Sequence, residues 1–136
     1  MDMGMGVMSL ILLILGVSSV ETTEAEVTEI KENNAVVQII AAATAKKMMD
    51  AGNVIILDVR EQDEFDAGHI AGAVLIPYTE IAVRAGESLP EKDAVILVYC
   101  RSGRRSNIAA NELVSMGYKN IYDFGGIIDW PYEIVK

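Results

Sequence analysis

The segment 100–106, with the sequence CRSGRRS, joins the only cysteine of the chain to three arginines. Neighbouring cations stabilise the thiolate form of cysteine, which is its nucleophilic form. The same cations would attract an anionic substrate, and Gly103 would give the backbone freedom that a tight, anion-holding turn needs. The segment therefore predicts a reactive site with Cys100 as the catalytic nucleophile. The predicted substrate-binding residues follow it directly: Arg101, Ser102, Gly103, Arg104 and Arg105.

Two ordinary explanations compete with this interpretation. A lone cysteine after the apolar run VILVY is consistent with a core residue, because unpaired cysteine is often buried. Three arginines are consistent with a solvated surface loop. The joint pattern, in which these residues follow an apolar strand and precede a helix, is typical of neither explanation and favours the reactive site.

The composition excludes several other kinds of site. The length of 136 residues indicates one domain, and a single cysteine excludes an internal disulfide and a thiolate metal cage. His69 is the only histidine, so a site that needs two imidazoles is excluded as well. The formal net charge of -9 argues against general nucleic-acid binding, because an acidic protein repels phosphate backbones.

From residue 36 onward, apolar strand patterns alternate with helical patterns. This alternation predicts an α/β fold with a mostly parallel central sheet flanked by helices on both faces. Thr44 is the predicted N-cap of the first helix, and Ser106 that of the helix after the cysteine. Gly52 and Gly117 are the residues expected to end these two helices. The predicted strands are 36–41, 53–59, 73–77, 94–100 and 120–124, and the predicted helices are 44–52, 60–69, 78–87, 106–118 and 125–136, the last broken at Pro131.

The first part of the chain differs from the rest. Residues 7–20 form an apolar run, and an acidic, polar stretch follows it. The run has the length of a signal-peptide core, about 7–15 residues, and is short for a membrane-spanning helix of about 17–25 residues. We therefore predict a signal peptide or N-terminal membrane anchor over 1–25, an acidic linker over 26–35 and the folded domain over 36–136. Export, periplasmic or otherwise extracytoplasmic, or membrane attachment is the expectation. A helix buried in a cytoplasmic domain is the alternative.

Several ordered motifs give the chain a family resemblance. The stretch LDVRE covers 57–61, EFDAGHIAGAVLIP covers 64–77, and FGGIIDW covers 124–130. Together with CRSGRRS, these motifs resemble the rhodanese-like domain of single-domain sulfurtransferases. The resemblance covers roughly residues 37–130, or nearly all of the predicted domain. It implies the three-layer rhodanese-like fold.

The resemblance also implies a chemistry and a set of roles. Cys100 would carry sulfur as a persulfide, taken from a small sulfur-containing anion such as thiosulfate and passed to a thiol or cyanide acceptor. That reaction needs no metal and no organic cofactor. Asp58 and Arg60 would form a structural polar pair near the site, with Ser106 also structural, and His69 would be structural too. Gly125, Gly126 and Trp130 would close the fold. We expect a monomer.

Two other functions stay open. A cysteine-dependent phosphatase or arsenate reductase of the related fold has the pattern C-x5-R, in which the arginine clamps a tetrahedral oxyanion. Here Ser106 occupies that place and Arg105 comes one residue early, so sulfur chemistry is favoured. A sulfur-relay or binding module is the second alternative, because a relay would use the same persulfide.

Overall fold

The structure, a computed structural model, describes residues 35–136. The predicted signal peptide or membrane anchor and all of the predicted linker except Ala35 lie outside the described residues. From residue 35 to the last residue, no helix has both the length and the apolar character that crossing a membrane requires.

Five strands and four helices alternate along the described chain. The sheet has the strand order β1-β5-β4-β2-β3, and its strand pairs are parallel. This architecture confirms the predicted α/β fold class. The strands are β1 (Gln38–Ile39), β2 (Ile55–Asp58), β3 (Val74–Leu75), β4 (Val95–Cys100) and β5 (Asn120–Gly126). The helices are α1 (Ala42–Ala51), α2 (Gln62–Ala67), α3 (Ile81–Ser88) and α4 (Arg104–Ser115), with 3-10 turns at Tyr78–Glu80 and Ile127–Asp129.

Strand β4 is the centre of the sheet and is buried on both faces. Its side chains alternate: Ile96, Val98 and Cys100 pack in the core that contains residues of α3 and α4. Leu97 and Tyr99 pack in a second core with residues of α1 and of the C-terminal segment. Burial on both faces explains why this strand is a continuous apolar run rather than an alternating one. The helices therefore cover both faces of the sheet, as predicted.

Two local predictions from the sequence are wrong in detail. Helix α1 begins at Ala42 with Ala41 as its N-cap, so Thr44 lies within the helix. Helix α4 begins at Arg104 after Gly103, and Ser106 lies in its first turn instead of capping it. The left-handed φ of 114° at Gly103 lets the chain turn from β4 into α4 three residues earlier than an N-cap at Ser106 would.

The predicted C-terminal helix is also wrong. After the 3-10 turn Ile127–Asp129 the chain passes Pro131, and Val135 forms an isolated antiparallel bridge with His69. Both backbone bonds of this bridge, between the N–H of each residue and the carbonyl of the other, are 2.8 Å long. The bridge to the loop after α2 therefore pairs the N–H and the carbonyl of Val135, which a helix would have paired internally.

Candidate active site

Cys100 is the last residue of β4, and its sulfur lies at the start of α4. The Sγ atom accepts a hydrogen bond from the backbone N–H of Gly103 at 3.0 Å. The residue is only 1% exposed. The first N–H groups of α4 have no acceptor within the helix, and they carry its positive dipole end. The sulfur therefore lies where a negative charge is stabilised by backbone dipoles.

Gly126, the last residue of β5, packs against the cysteine loop. Strand β5 pairs with β4 up to Cys100 and Gly126, after a shift of register beyond Val98. A Cβ atom added at Gly126 would overlap the carbonyl oxygen of Arg101 and lie 2.5 Å from the Cα of Ser102. The backbone N–H of Ile128 also donates to the carbonyl of Arg101 at 3.2 Å. The end of β5 therefore packs directly against the backbone of residues 101 and 102. Gly126 thus contacts the cysteine loop itself, in addition to the fold-closing role that the resemblance implies.

The three loop arginines have different surroundings. Arg101 and Arg104 are exposed, as is Ser102 between them. The guanidinium of Arg104 lies 5.8 Å from the centre of the Tyr78 ring. Arg105 is half-buried, and its two terminal nitrogens donate to the two carboxylate oxygens of Glu64, each at 2.8 Å. The positive charge that faces solvent around the cysteine loop thus comes from Arg101 and Arg104.

Glu64 is a site residue that the sequence interpretation missed. It is the third residue of α2, and its carboxylate accepts a hydrogen bond from the N–H of Glu61 in a reciprocal capping box. The hydrogen bonds from Arg105 lower the pKa of Glu64 to about 2, and they raise the pKa of Arg105. The spacing of Glu61 and Glu64 signals a helix start, but nothing local signals a partner 41 residues away.

Asp123 is the second residue that was missed. Its Oδ1 atom accepts hydrogen bonds from the Ser106 hydroxyl at 2.8 Å and from the N–H of Gly125 at 3.0 Å. Ser106 is fully buried and Asp123 is 4% exposed. The Ser106 oxygen also lies 3.0 Å from the carbonyl of Gly103. These contacts tie the first turn of α4 to the end of β5, directly behind the loop.

Asp58 and Arg60 form a buried ion pair at the end of β2. Arg60 donates to Asp58 through Nε at 3.0 Å and through a terminal nitrogen at 2.7 Å, and the same terminal nitrogen reaches the carbonyl of Gly68 at 2.7 Å. The two side chains are 0% and 6% exposed. Burial lowers the pKa of Arg60, but the hydrogen bond and charge of Asp58 outweigh burial and raise it. The pair thus connects β2 to the loop after α2.

Two ring side chains, Tyr99 and His69, pack near the buried pair of Asp58 and Arg60. The Tyr99 hydroxyl accepts a hydrogen bond from the N–H of Ile70 at 3.1 Å, and burial, with the charge of Asp58, raises the pKa of Tyr99. His69 stacks on Phe65 with ring centres 3.7 Å apart, and its Nδ1 lies 2.8 Å from the Phe65 carbonyl. His69 therefore packs against α2, as the structural role expected for it requires.

Comparison with known proteins agrees with this geometry. The sequence profile of the rhodanese-like domain matches residues 41–131. Thiosulfate sulfurtransferase PspE of Escherichia coli strain K12 is 36% identical over 80 residues, which cover 59% of the chain and 77% of that protein. Putative sulfur carrier protein YrkF of Bacillus subtilis strain 168 is 38% identical over 101 residues, which cover 73% of the chain and 54% of that longer protein.

Solved structures give the same result. A rhodanese with anions from E. coli superposes with a TM-score of 0.57 at 34% sequence identity, covering 60% of this chain and 96% of that one. The matched profile spans the helices and strands from α1 to the end of the 3-10 turn after β5. Sequence profile, relatives and fold therefore give one answer: the chain belongs to the rhodanese-like domain family of sulfurtransferases.

Proposed function

We propose that this chain is a sulfurtransferase that moves sulfane sulfur from an anionic donor such as thiosulfate to a thiophilic acceptor, through a persulfide on Cys100. The observation that carries the proposal is the hydrogen bond from the Gly103 N–H to the Cys100 sulfur at the start of α4. Backbone N–H groups in this arrangement stabilise a thiolate before transfer and a persulfide anion after it. Neither species requires a metal or an organic cofactor.

The first half-reaction takes sulfur from the donor. The Cys100 thiolate attacks the outer sulfur of thiosulfate, a new S–S bond forms, and the S–S bond of the donor breaks. Sulfite leaves with the electron pair of that bond, and Cys100 carries a persulfide anion. Arg101 and Arg104 are exposed on either side of Ser102 and would attract the donor dianion. A solved relative is described as a rhodanese with anions from E. coli, which supports an anionic ligand for this kind of protein.

The second half-reaction restores the enzyme. A nucleophile such as cyanide or a thiolate attacks the outer sulfur of the persulfide, and the Cys100 thiolate leaves with the electrons of the S–S bond. With cyanide the product is thiocyanate. The two steps share one covalent intermediate, so the kinetic scheme is ping-pong.

The contacts of Arg105 favour this chemistry over a phosphatase or arsenate reductase. In the C-x5-R pattern an arginine clamps a tetrahedral oxyanion above the cysteine. Here Arg105 comes one residue early, and both of its terminal nitrogens are bound to Glu64. The fully buried Ser106 occupies the place of the clamping arginine. Transfer of a single sulfur atom needs no such clamp.

A sulfur-relay role is a second candidate. The relative YrkF, named a putative sulfur carrier protein, supports it, because a relay would pass the same persulfide to a protein acceptor instead of a small molecule. The two candidates share the first half-reaction and differ in the acceptor. Turnover with cyanide, compared with transfer to a protein thiol, separates them.

Intact-mass spectrometry of the full-length chain tests the proposal. Thiosulfate should add one sulfur atom to the wild type, and cyanide should remove it. Cys100→Ser is the matched control, because it replaces the nucleophile and leaves the loop arginines in place. A wild type that gains no sulfur but hydrolyses a phosphate ester or reduces arsenate would contradict the proposal.

A further inference from the structure

The contact between Glu64 and Arg105 joins α2 to the first turn of α4. Both terminal nitrogens of Arg105 are bound, one to each oxygen of Glu64, at 2.8 Å. The side chains of Arg105 and Glu64 are only 17% and 26% exposed, so water screens them less than a surface pair. A bidentate pair of this kind fixes the relative orientation of its two groups as well as their distance.

Glu64 is itself held from the side of α2. Its Oε1 atom accepts the N–H of Glu61 at 3.0 Å, and the Glu61 side chain accepts the N–H of Glu64 in return. Helix α2 contributes no fully buried side chain. Polar contacts, rather than insertion into the core, therefore hold its first turn against the site.

Arg105 lies close in sequence to the group that contacts the sulfur. It is the second residue of α4, and the Gly103 N–H that donates to Sγ is two residues before it. A shift in the first turn of α4 would move this N–H away from its 3.0 Å contact, and hydrogen bonds weaken steeply when distance and angle are lost. A contact that holds Arg105 in place therefore also holds the Gly103 N–H in its hydrogen bond to the Cys100 sulfur.

We infer that Glu64 is a positioning residue, which acts through Arg105 to keep the Gly103 N–H directed at the sulfur of Cys100. The inference rests on the proposed function only in taking Cys100 as the reacting group. It assigns Arg105 to holding the loop instead of binding the donor. Arg101 and Arg104 then remain as the donor-binding cations.

The test compares two reagents for Cys100 in the full-length chain: thiosulfate, a dianion, and iodoacetamide, which is neutral. A positioning role predicts that Glu64→Gln slows both reactions, on the order of tenfold, because misaligned groups lose rate whatever the charge of the reagent. With thiosulfate the loss should fall mainly on kcat. A donor-binding Arg105 predicts the reverse: freeing its charge would lower KM for thiosulfate and leave alkylation unchanged, and this result would overturn the inference.

A double-mutant cycle gives a second measurement. If the two residues act as a unit, Glu64→Gln combined with Arg105→Gln should be no slower than Arg105→Gln alone. Additive losses would count against a shared role. Arg105→Lys keeps the charge but loses the bidentate fork, so it should resemble Glu64→Gln with both reagents. Wild-type rates in Arg105→Lys would show that the bidentate contact positions nothing.

Controls separate positioning from folding. Asp50→Asn breaks the exposed pair with Lys46 on α1 and should leave both rates unchanged. Rates are taken well below the melting temperature of each variant, and a Glu64→Gln variant that melts lower but reacts at wild-type rates would overturn the inference. If Glu64→Gln does not fold, Glu64→Asp and Arg105→Lys give the same comparison. If the wild type takes no sulfur from thiosulfate, only the proposed function is contradicted. The positioning role of Glu64 is still tested by the alkylation rates.

Discussion

Gly126 lies so close beneath Ser102 that a Cβ atom at position 126 would be 2.5 Å from the Ser102 Cα. The neighbouring carbonyl of Arg101 would be overlapped as well. Both obstacles are backbone atoms, which cannot turn aside as the end of a side chain can. The cysteine loop and the end of β5 therefore fit together only when position 126 has no side chain.

Gly126→Ala should thus damage the site and the fold together. We expect it to destabilise the domain by about 1–3 kcal/mol, which is typical of overpacking, and to slow persulfide formation because the loop must shift. Urea denaturation and the mass assay measure the two effects. Gly86→Ala is the matched control: nothing lies within 4 Å of its Cβ position, and it is inside α3. That substitution should be neutral or stabilising, since alanine favours a helix interior over glycine. Equal behaviour of the two variants would contradict the close fit.

The buried pair of Asp58 and Arg60 gives a prediction about stability rather than chemistry. Arg60→Met removes the cation and leaves a fully buried carboxylate without its charge partner. Breaking a buried pair from one side costs about 3–5 kcal/mol in free energy of unfolding. Replacing both residues, as in Asp58→Asn with Arg60→Met, should recover part of that loss. Urea denaturation tests both variants, and a double variant no more stable than the single one would argue against an uncompensated charge as the cause.

The sequence was enough to predict the parts of this protein that depend on neighbouring residues. The apolar run before Cys100 predicted a strand buried on both faces, and the glycine and arginines after it predicted a turn into a helix. Gly52 and Gly117 follow helices as expected, with φ values of 90° and 101°. These signals succeed because strand burial and helix ends depend on residues a few positions apart.

The features that the sequence did not reveal depend on long-range partners. Glu64 and Arg105 are 41 residues apart, and Ser106 and Asp123 are 17 apart. A serine before a helical pattern has the same signature whether it caps the helix or bonds to a buried aspartate. The C-terminal segment was predicted to be helical for a related reason. Its composition allows a helix, but in the folded domain Val135 pairs with His69, which is far away in sequence.

The exposed loop arginines should set donor affinity. Arg101→Ala and Arg104→Ala should each raise KM for thiosulfate by a few fold, on the order expected for one exposed charge, and have little effect on kcat. The wild-type KM should rise with ionic strength, and this dependence should weaken in each variant. Arg84→Ala removes an exposed arginine from α3, where it is paired with Glu80, and serves as the control. Steady-state kinetics at two salt concentrations decides the matter. An unchanged KM in both variants would exclude these side chains from donor binding.

Glu64 makes a definite prediction about acid. Its pKa is lowered from 4.5 to about 2, chiefly by the hydrogen bonds from Arg105. A carboxyl whose pKa is depressed by folding stabilises the native state above its unfolded pKa, and it loses that contribution as the pH falls towards the folded value. The stability gained from Glu64 should thus be complete above about pH 4.5 and disappear towards pH 2. Urea denaturation of the wild type and Glu64→Gln across this range should show the wild type more stable at pH 6, with the difference between the curves closing in acid. A difference that stays constant down to pH 2 would mean that the contribution of Glu64 does not depend on its ionised pair with Arg105.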